Sequence, residues 1–289
     1  MNLKSFVHIP LFLVVFLHIS NAQSGTELSL GIDEFLSKTR PEYLGKKLGL
    51  CTNTGGVNHT GQRTIELLEQ EFGLDLLLTL DDWNDTTTFS DNRTSVIVEG
   101  HSFEKINISG ILPVQIVELI KDLDVLFVDL QGIGIRSQSY TVTLQHLLYA
   151  GGIAGTSIII LDRPNPLGGE MVSGNIPQDS LGSPGSFIPI PYRHGMTIGE
   201  LARLLNTEND HGADLMIIPM DNWQGQPWSE IGLEWAPISP GIYTMDDLER
   251  FTITSILGTD EILENGVSTD RPYEILVHPK ITSGSDIVF

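Results

Sequence analysis

Only one cysteine, Cys51, occurs in the chain. That excludes an intrachain disulfide and any cysteine-based metal centre, and its place in an apolar run reads as a small buried hydrophobe. Basic residues are scarce: 16 Lys and Arg stand against 37 Asp and Glu, a formal charge of -21. Such a field repels polyanions and argues against nucleic acid or an anionic membrane surface as a partner. The histidines show no metal-ligand spacing, with no H-E-x-x-H and no close pair beside an acid. A G-x-S-x-G nucleophile elbow is also missing. Asp129 to Ser137 offers two of the three glycines of a dinucleotide loop, with Ser137 at the third position, so a nicotinamide site is rejected. Long apolar runs are missing beyond the first residues, which excludes a later membrane span.

The N-terminal stretch reads as an export signal. Lys4 gives a weakly basic start, Ile9 to Ile19 a short apolar core, and Ser20-Asn21-Ala22 the small residues a signal peptidase reads. The expected organisation is a signal peptide at 1–22, an N-terminal domain at 23–193 and a smaller C-terminal domain at 194–289. The expected location is secreted or extracytoplasmic, with no membrane insertion after signal removal. Four N-x-S/T sequons begin at Asn58, Asn84, Asn92 and Asn107. In a eukaryotic secretory pathway they would be exposed glycan acceptors.

The stretch Ser157 to Gly169, SIIILDRPNPLGG, organises what remains. Four apolar residues read as a strand buried on both faces. Pro164 and Pro166 then end it and stiffen the backbone. Asp162, Arg163 and Asn165 are thereby delivered just past a strand's carboxyl end, where open parallel sheets bind ligands. An Asp–Arg pair that merely braces the loop is the alternative use of the same residues.

Apolar strands are expected at Lys47–Thr52, Asp75–Leu80, Ser95–Glu99, Asp124–Leu130 and Asp214–Met220. Helices are expected at Gly31–Thr39, at Thr64–Phe72, from Pro113 with Val114, Val117 and Ile120 inward, and at Thr143–Ala150 ending at Gly151-Gly152. Thr197 to Glu200 forms a capping box that opens a helix to Asn206. This alternation predicts an α/β fold, a parallel sheet with helices on both faces. Asp129, Asp162 and the Asp81-Asp82 pair all follow strands and could converge on one edge. Two carboxyls flanking a bond serve glycoside hydrolysis; loop caps and salt bridges are the commoner use of such acids. Three of the 4 tryptophans, Trp223, Trp228 and Trp235, fall close together, as core filler or as a sugar-stacking surface.

The order and spacing of several motifs resemble the exo-β-N-acetylmuramidase family, formerly a domain of unknown function. Asp162 to Gly169 fits at every position, and Pro189 to Leu201 nearly so, carrying Arg193 and His194. Asp129, Gln131, Gly134, Arg136, Tyr140 and Thr143 fit a strand-end motif. Thr52-Asn53 with Gly56-Val57 fit the first turn, and Arg271 to Glu274 a C-terminal motif. The resemblance implies a Rossmann-like domain joined to a smaller α/β domain, here incomplete. It implies release of terminal N-acetylmuramic acid from peptidoglycan fragments, a muropeptide or amino-sugar ligand, and no metal or organic cofactor. Catalytic roles fall on Asp82 and His194. Substrate-binding roles fall on Asn53, Asp129, Gln131, Arg136, Tyr140, Asp162, Arg163, Asn165 and Arg193, with the three arginines as candidates for the sugar's carboxylate. The chain departs where the family has Ser-Pro-Glu-His-Gly: it reads Leu80-Asp81-Asp82-Trp83-Asn84, so Asp82 stands in for the glutamate. A further aspartate is Gly132 here, a tyrosine is Gln138, an arginine is Val267 and a glutamate is Asn265. A catalytically silent sugar-binding protein is therefore the alternative function.

Overall fold

The protein is described from a computed structural model covering residues 28–80, 93–98, 100–137, 139–177, 188–239, 241–255, 266, 271–276 and 287–288. The expected signal peptide, Asp82, Trp83, Asn84, Asn92 and Gln138 lie outside the described residues.

A seven-stranded sheet forms the centre. Its strands are β1 (Leu48–Thr52), β2 (Leu76–Thr79), β3 (Arg93–Val98), β4 (His101–Asn107), β5 (Val125–Asp129), β6 (Ser157–Leu161) and β7 (Leu215–Ile218). The order is β3-β4-β2-β1-β5-β6-β7. Neighbours are parallel except at the β3–β4 hairpin. Four of the expected apolar strands thus sit side by side as β2-β1-β5-β6. Their continuous apolar lettering follows from burial on both faces. Cys51, Leu78, Val128 and Ile160 point to one face, where α3 (Pro113–Ile120), α4 (Ser139–Ala154) and α5 (Ile198–Glu208) cover them. Leu50, Leu77, Phe127 and Ile159 point to the other, beneath α1 (Gly31–Leu36) and α2 (Thr64–Phe72). Phe35 of α1 meets Phe127 edge-on with ring centroids 5.0 Å apart.

The structure changes several expectations. β4 was not foreseen: only Phe103 and Ile106 of its seven residues are buried, so its lettering is mostly polar. In α3 the inward pair is Ile116 and Ile120, one turn apart, while Val114 is exposed. α4 does not end at Gly151-Gly152 but runs through them. A Cβ on Gly151 would lie 2.6 Å from Ile158 Cγ1, and one on Gly152 2.0 Å from the His211 carbonyl oxygen. Gly151 lets the helix approach β6 and Gly152 lets it approach the turn before β7, so neither terminates it.

The capping box at Thr197 and Glu200 is formed as expected. The division at 193/194 falls inside the sheet's own connections, because α5 and β7 follow it and β7 pairs with β6. Ile238, Ile242, Leu248 and Tyr273 join the same core. The later elements are α6 (Trp228–Ile231), α7 (Met245–Thr254) and the two-stranded pair β8 (Ile275–Leu276) with β9 (Ile287–Val288). No described helix is long and apolar enough to cross a membrane.

Candidate functional site

From β1 the chain winds outward to β2 and the hairpin, then α3 carries it back to β5 on β1's other side. The switch point therefore lies between β1 and β5, and open α/β sheets bind ligands beyond the strand ends there. Asn53 and Gln131 close it. Asn53 Nδ2 donates to the Gln131 carbonyl at 2.9 Å, and Gln131 N donates back to Asn53 Oδ1 at 3.2 Å. Gln131 Nε2 donates to the carbonyls of Gly132 and Pro164, each at 3.0 Å. Its Oε1 is buried and has no hydrogen-bond partner among the described residues, the kind of unpaired acceptor that calls for explanation.

The acids at the ends of β5 and β6 are structural. Asp129 takes both prongs of Arg163, through Nε and Nη2, and also the Thr64 hydroxyl. Arg163 Nη2 donates in addition to the Val57 carbonyl, tying the β1 loop to β5 and β6. This is the bracing geometry. Asp162 Oδ1 accepts from the backbone N–H groups of Arg163 (2.9 Å) and Gly199 (2.8 Å), and Oδ2 from the Thr197 hydroxyl (3.0 Å). It thereby anchors the start of α5. Burial pushes its carboxyl up to about 6, against the three hydrogen bonds that pull it down. Asn165 bridges the Met196 carbonyl and the Leu167 N–H. Gly134, at φ 83°, lets the neighbouring loop lie against it, since a Cβ there would sit 2.3 Å from Asn165 Oδ1.

Arg136 and Arg193 lie elsewhere, while Tyr140 and His194 share a small cleft with Arg163 and Asn165. Arg136 Nη1 donates to the carbonyls of Asn175 (2.7 Å) and Ile190 (2.6 Å). Arg193 donates to the Leu167 carbonyl and the Met171 sulfur. Tyr140 OH donates to the Ile238 carbonyl at 2.7 Å. His194 is buried, its Nδ1 accepts from Met196 N at 3.1 Å, and burial lowers its pKa to about 4. It stays neutral near pH 7 with the proton on Nε2, and it also lines the surface beside Gly169 and Gly225.

A cavity of about 440 Å³ opens at the switch point, between the 55–61 loop and residues 228–237. Gln131 and Arg163 reach its wall, with His59, Trp228, Glu234 and Trp235. The two indoles stand at right angles, centroids 5.2 Å apart. Their N–H groups donate to the carbonyls of Leu233 and Ile242, leaving the ring surfaces as apolar wall. Apolar walls with a few fixed polar groups are what small-ligand cavities share. So the structure joins Asn53, Asp129, Gln131 and Arg163, puts Tyr140, Asn165 and His194 on a neighbouring cleft that Arg163 also lines, and sets Arg136 and Arg193 apart. Sequence reasoning missed His59, Asp33 beside it, and Glu234. Asn58, offered as a glycan acceptor, is buried, and its side-chain oxygen accepts from Thr60 and Gln62 N–H groups.

A wound parallel sheet with an aromatic-walled cavity at its switch point defines a Rossmann-like α/β domain. Residues 48–246 match the family described as Exo-beta-N-acetylmuramidase NamZ, N-terminal, and the chain belongs to that family. It is 30% identical over 261 residues to the peptidoglycan beta-N-acetylmuramidase NamZ of Bacillus subtilis (strain 168), covering 89% of this chain and 63% of that protein. The chain thus spans less than two thirds of that relative. A DUF1343 family protein from Bacteroides fragilis NCTC 9343 superposes with TM-score 0.73 at 29% identity, covering 86% of this chain and 65% of the other. A second from the same organism gives 0.70 at 24% identity, covering 89% and 69%, and bears on fold alone.

Proposed function

We propose that this chain binds a peptidoglycan-derived amino sugar in the cavity between β1 and β5, as a glycoside hydrolase-like protein related to exo-β-N-acetylmuramidases. The family match carries this reading, because it spans the sheet and the loops at its carboxyl edge. Asp82, on the segment that follows β2, is the proton donor in this reading, and terminal N-acetylmuramic acid the group released. A carboxylate one methylene shorter than glutamate draws the acid back by about 1.5 Å, and misplacement on that scale costs on the order of a hundredfold in rate. Hydrolysis of a chromogenic N-acetylmuramic acid β-glycoside should therefore be weak, rise in Asp82→Glu and vanish in Asp82→Ala, with sugar binding kept throughout. Robust turnover by Asp82→Ala would remove Asp82 from the role.

The second reading is a catalytically silent sugar-binding protein, favoured by the aspartate standing where the family has glutamate. It is chosen if Asp82→Glu stays inactive while calorimetry shows saturable binding. Export completes the reading: the mature protein should begin at Gln23, and N-terminal sequencing that returns Met1 removes it.

A further inference from the structure

Arg163 enters the site from the end of β6 with one edge of its guanidinium occupied. Nε and Nη2 grip Asp129, and Nη2 also donates to the Val57 carbonyl. A guanidinium is a rigid planar fork, so fixing that edge turns Nη1 to the opposite side. Nη1 carries two N–H donors. It has no hydrogen-bond partner among the described residues. Arg163 and Val57 both line the cavity of about 440 Å³, so the guanidinium end stands at its wall. Gln131 Oε1, another unpaired polar atom of a residue on this wall, is fully buried. Nη1 is not sealed in that way, although the Arg163 side chain is only 2% exposed, so it is a donor that a ligand can reach.

The surroundings select what it meets. Asp129 cancels the charge of Arg163. Among the described residues lining the cavity, the other ionisable side chains are His59, which Asp33 contacts, and Glu234. No uncompensated positive charge is present there to offset the desolvation of a carboxylate. A neutral acceptor fits instead. A hydroxyl accepts but leaves its own proton to be placed, whereas an amide carbonyl only accepts.

We propose that Arg163 Nη1 donates to the acetamido carbonyl of the amino sugar, so that this guanidinium reads the acetyl group and not a carboxylate. This rests on the amino-sugar reading of the cavity and deepens it by giving the acetyl group its contact. The Asp129 edge holds the guanidinium in place before the ligand arrives, so little side-chain freedom is lost on binding.

The test titrates the full chain by calorimetry with N-acetylglucosamine, with glucose, which has a hydroxyl in place of the acetamido group, and with N-acetylmuramic acid. Wild type should bind N-acetylglucosamine roughly tenfold more tightly than glucose, the worth of one hydrogen bond to a charged group. Arg163→Lys keeps a cation for Asp129 but has no second edge, and the preference should shrink to about twofold. Where that variant does not fold, wild type titrated with the N-thioacetyl analogue gives the reading, because sulfur is a weak acceptor and affinity should drop severalfold. Equal wild-type affinity for N-acetylglucosamine and glucose, an undiminished preference in folded Arg163→Lys, or full affinity for the thioacetyl sugar overturns the proposal. So does a wild-type preference for N-acetylmuramic acid over N-acetylglucosamine that disappears in Arg163→Lys, which would give the guanidinium to the carboxylate. No heat of binding with any of these sugars overturns the amino-sugar reading as well.

Discussion

The Arg163 guanidinium grips both carboxylate oxygens of Asp129 across the ends of β6 and β5, with Nη2 3.0 Å from Oδ2 and Nε on Oδ1. The two side chains are 2% and 1% exposed. Removing one member of such a pair strands a charge in a dry interior. Arg163→Ala is therefore expected to cost about 3–5 kcal/mol of folding stability, read by urea unfolding. A variant that folds as stably as wild type but loses sugar binding would return Arg163 to the carboxylate-clamp role.

Asp162 and His194 give opposite pH dependences. The Asp162 carboxyl, normally 3.8, is raised to about 6 by burial. Between these values the folded chain holds a proton that the unfolded chain has released, so this group's contribution to stability falls as pH rises. His194, normally 6.5, is lowered to about 4 by burial. Between those values the unfolded chain holds the extra proton, so stability rises with pH. Each effect at full extent is on the order of 3 kcal/mol, and they oppose one another from about pH 4 to 6. Asp162→Asn can keep its hydrogen bonds and removes the first effect. Its stability should climb more steeply than wild type across that window, whereas His194→Gln should reverse the trend. Parallel urea curves for all three proteins would show that neither group is shifted.

A glycine inside a helix usually gains about 1 kcal/mol on conversion to alanine. Gly152 of α4 should do the opposite. Its new Cβ would have to sit 2.0 Å from the His211 carbonyl oxygen, so helix or loop must move. A loss of about 1–3 kcal/mol is expected, measured by thermal unfolding. An unchanged or raised melting temperature would mean that the 209–214 turn yields freely.

Burial on both faces writes itself into a strand as an unbroken apolar run. That is why β1, β2, β5 and β6 were legible, and why β4, with two buried residues, was not. The end of α4 was misread for a related reason. Gly-Gly signals either a helix stop or a close approach, and only the neighbouring backbone decides which. At the site, Asp162, Arg163 and Asn165 were visible as polar groups at a strand's end. Bracing was legible as an alternative use, but the partners were not, because those of Arg163 include Val57, 106 positions away. Asp33 and His59 lie 26 positions apart on a helix and a loop, and no local pattern joins them.

Trp228 and Trp235 share one cavity wall but should fail differently. Trp228 is 7% exposed, with its N–H committed to Leu233. Its replacement by alanine empties core volume and should cost about 3–5 kcal/mol of stability. Trp235 is only partly buried and meets Trp228 edge-on. Trp235→Phe should keep the fold and part of that contact while shrinking the surface offered to a sugar ring. A loss on the order of 1 kcal/mol in binding is expected. Intrinsic fluorescence during titration with N-acetylmuramic acid separates the positions, because Trp223 lines the Gly169–Gly225 side instead. The ligand-dependent change should disappear in Trp235→Phe and persist in Trp223→Phe. The reverse pattern would place the sugar against Trp223 and leave the Trp228–Trp235 pair as core filler.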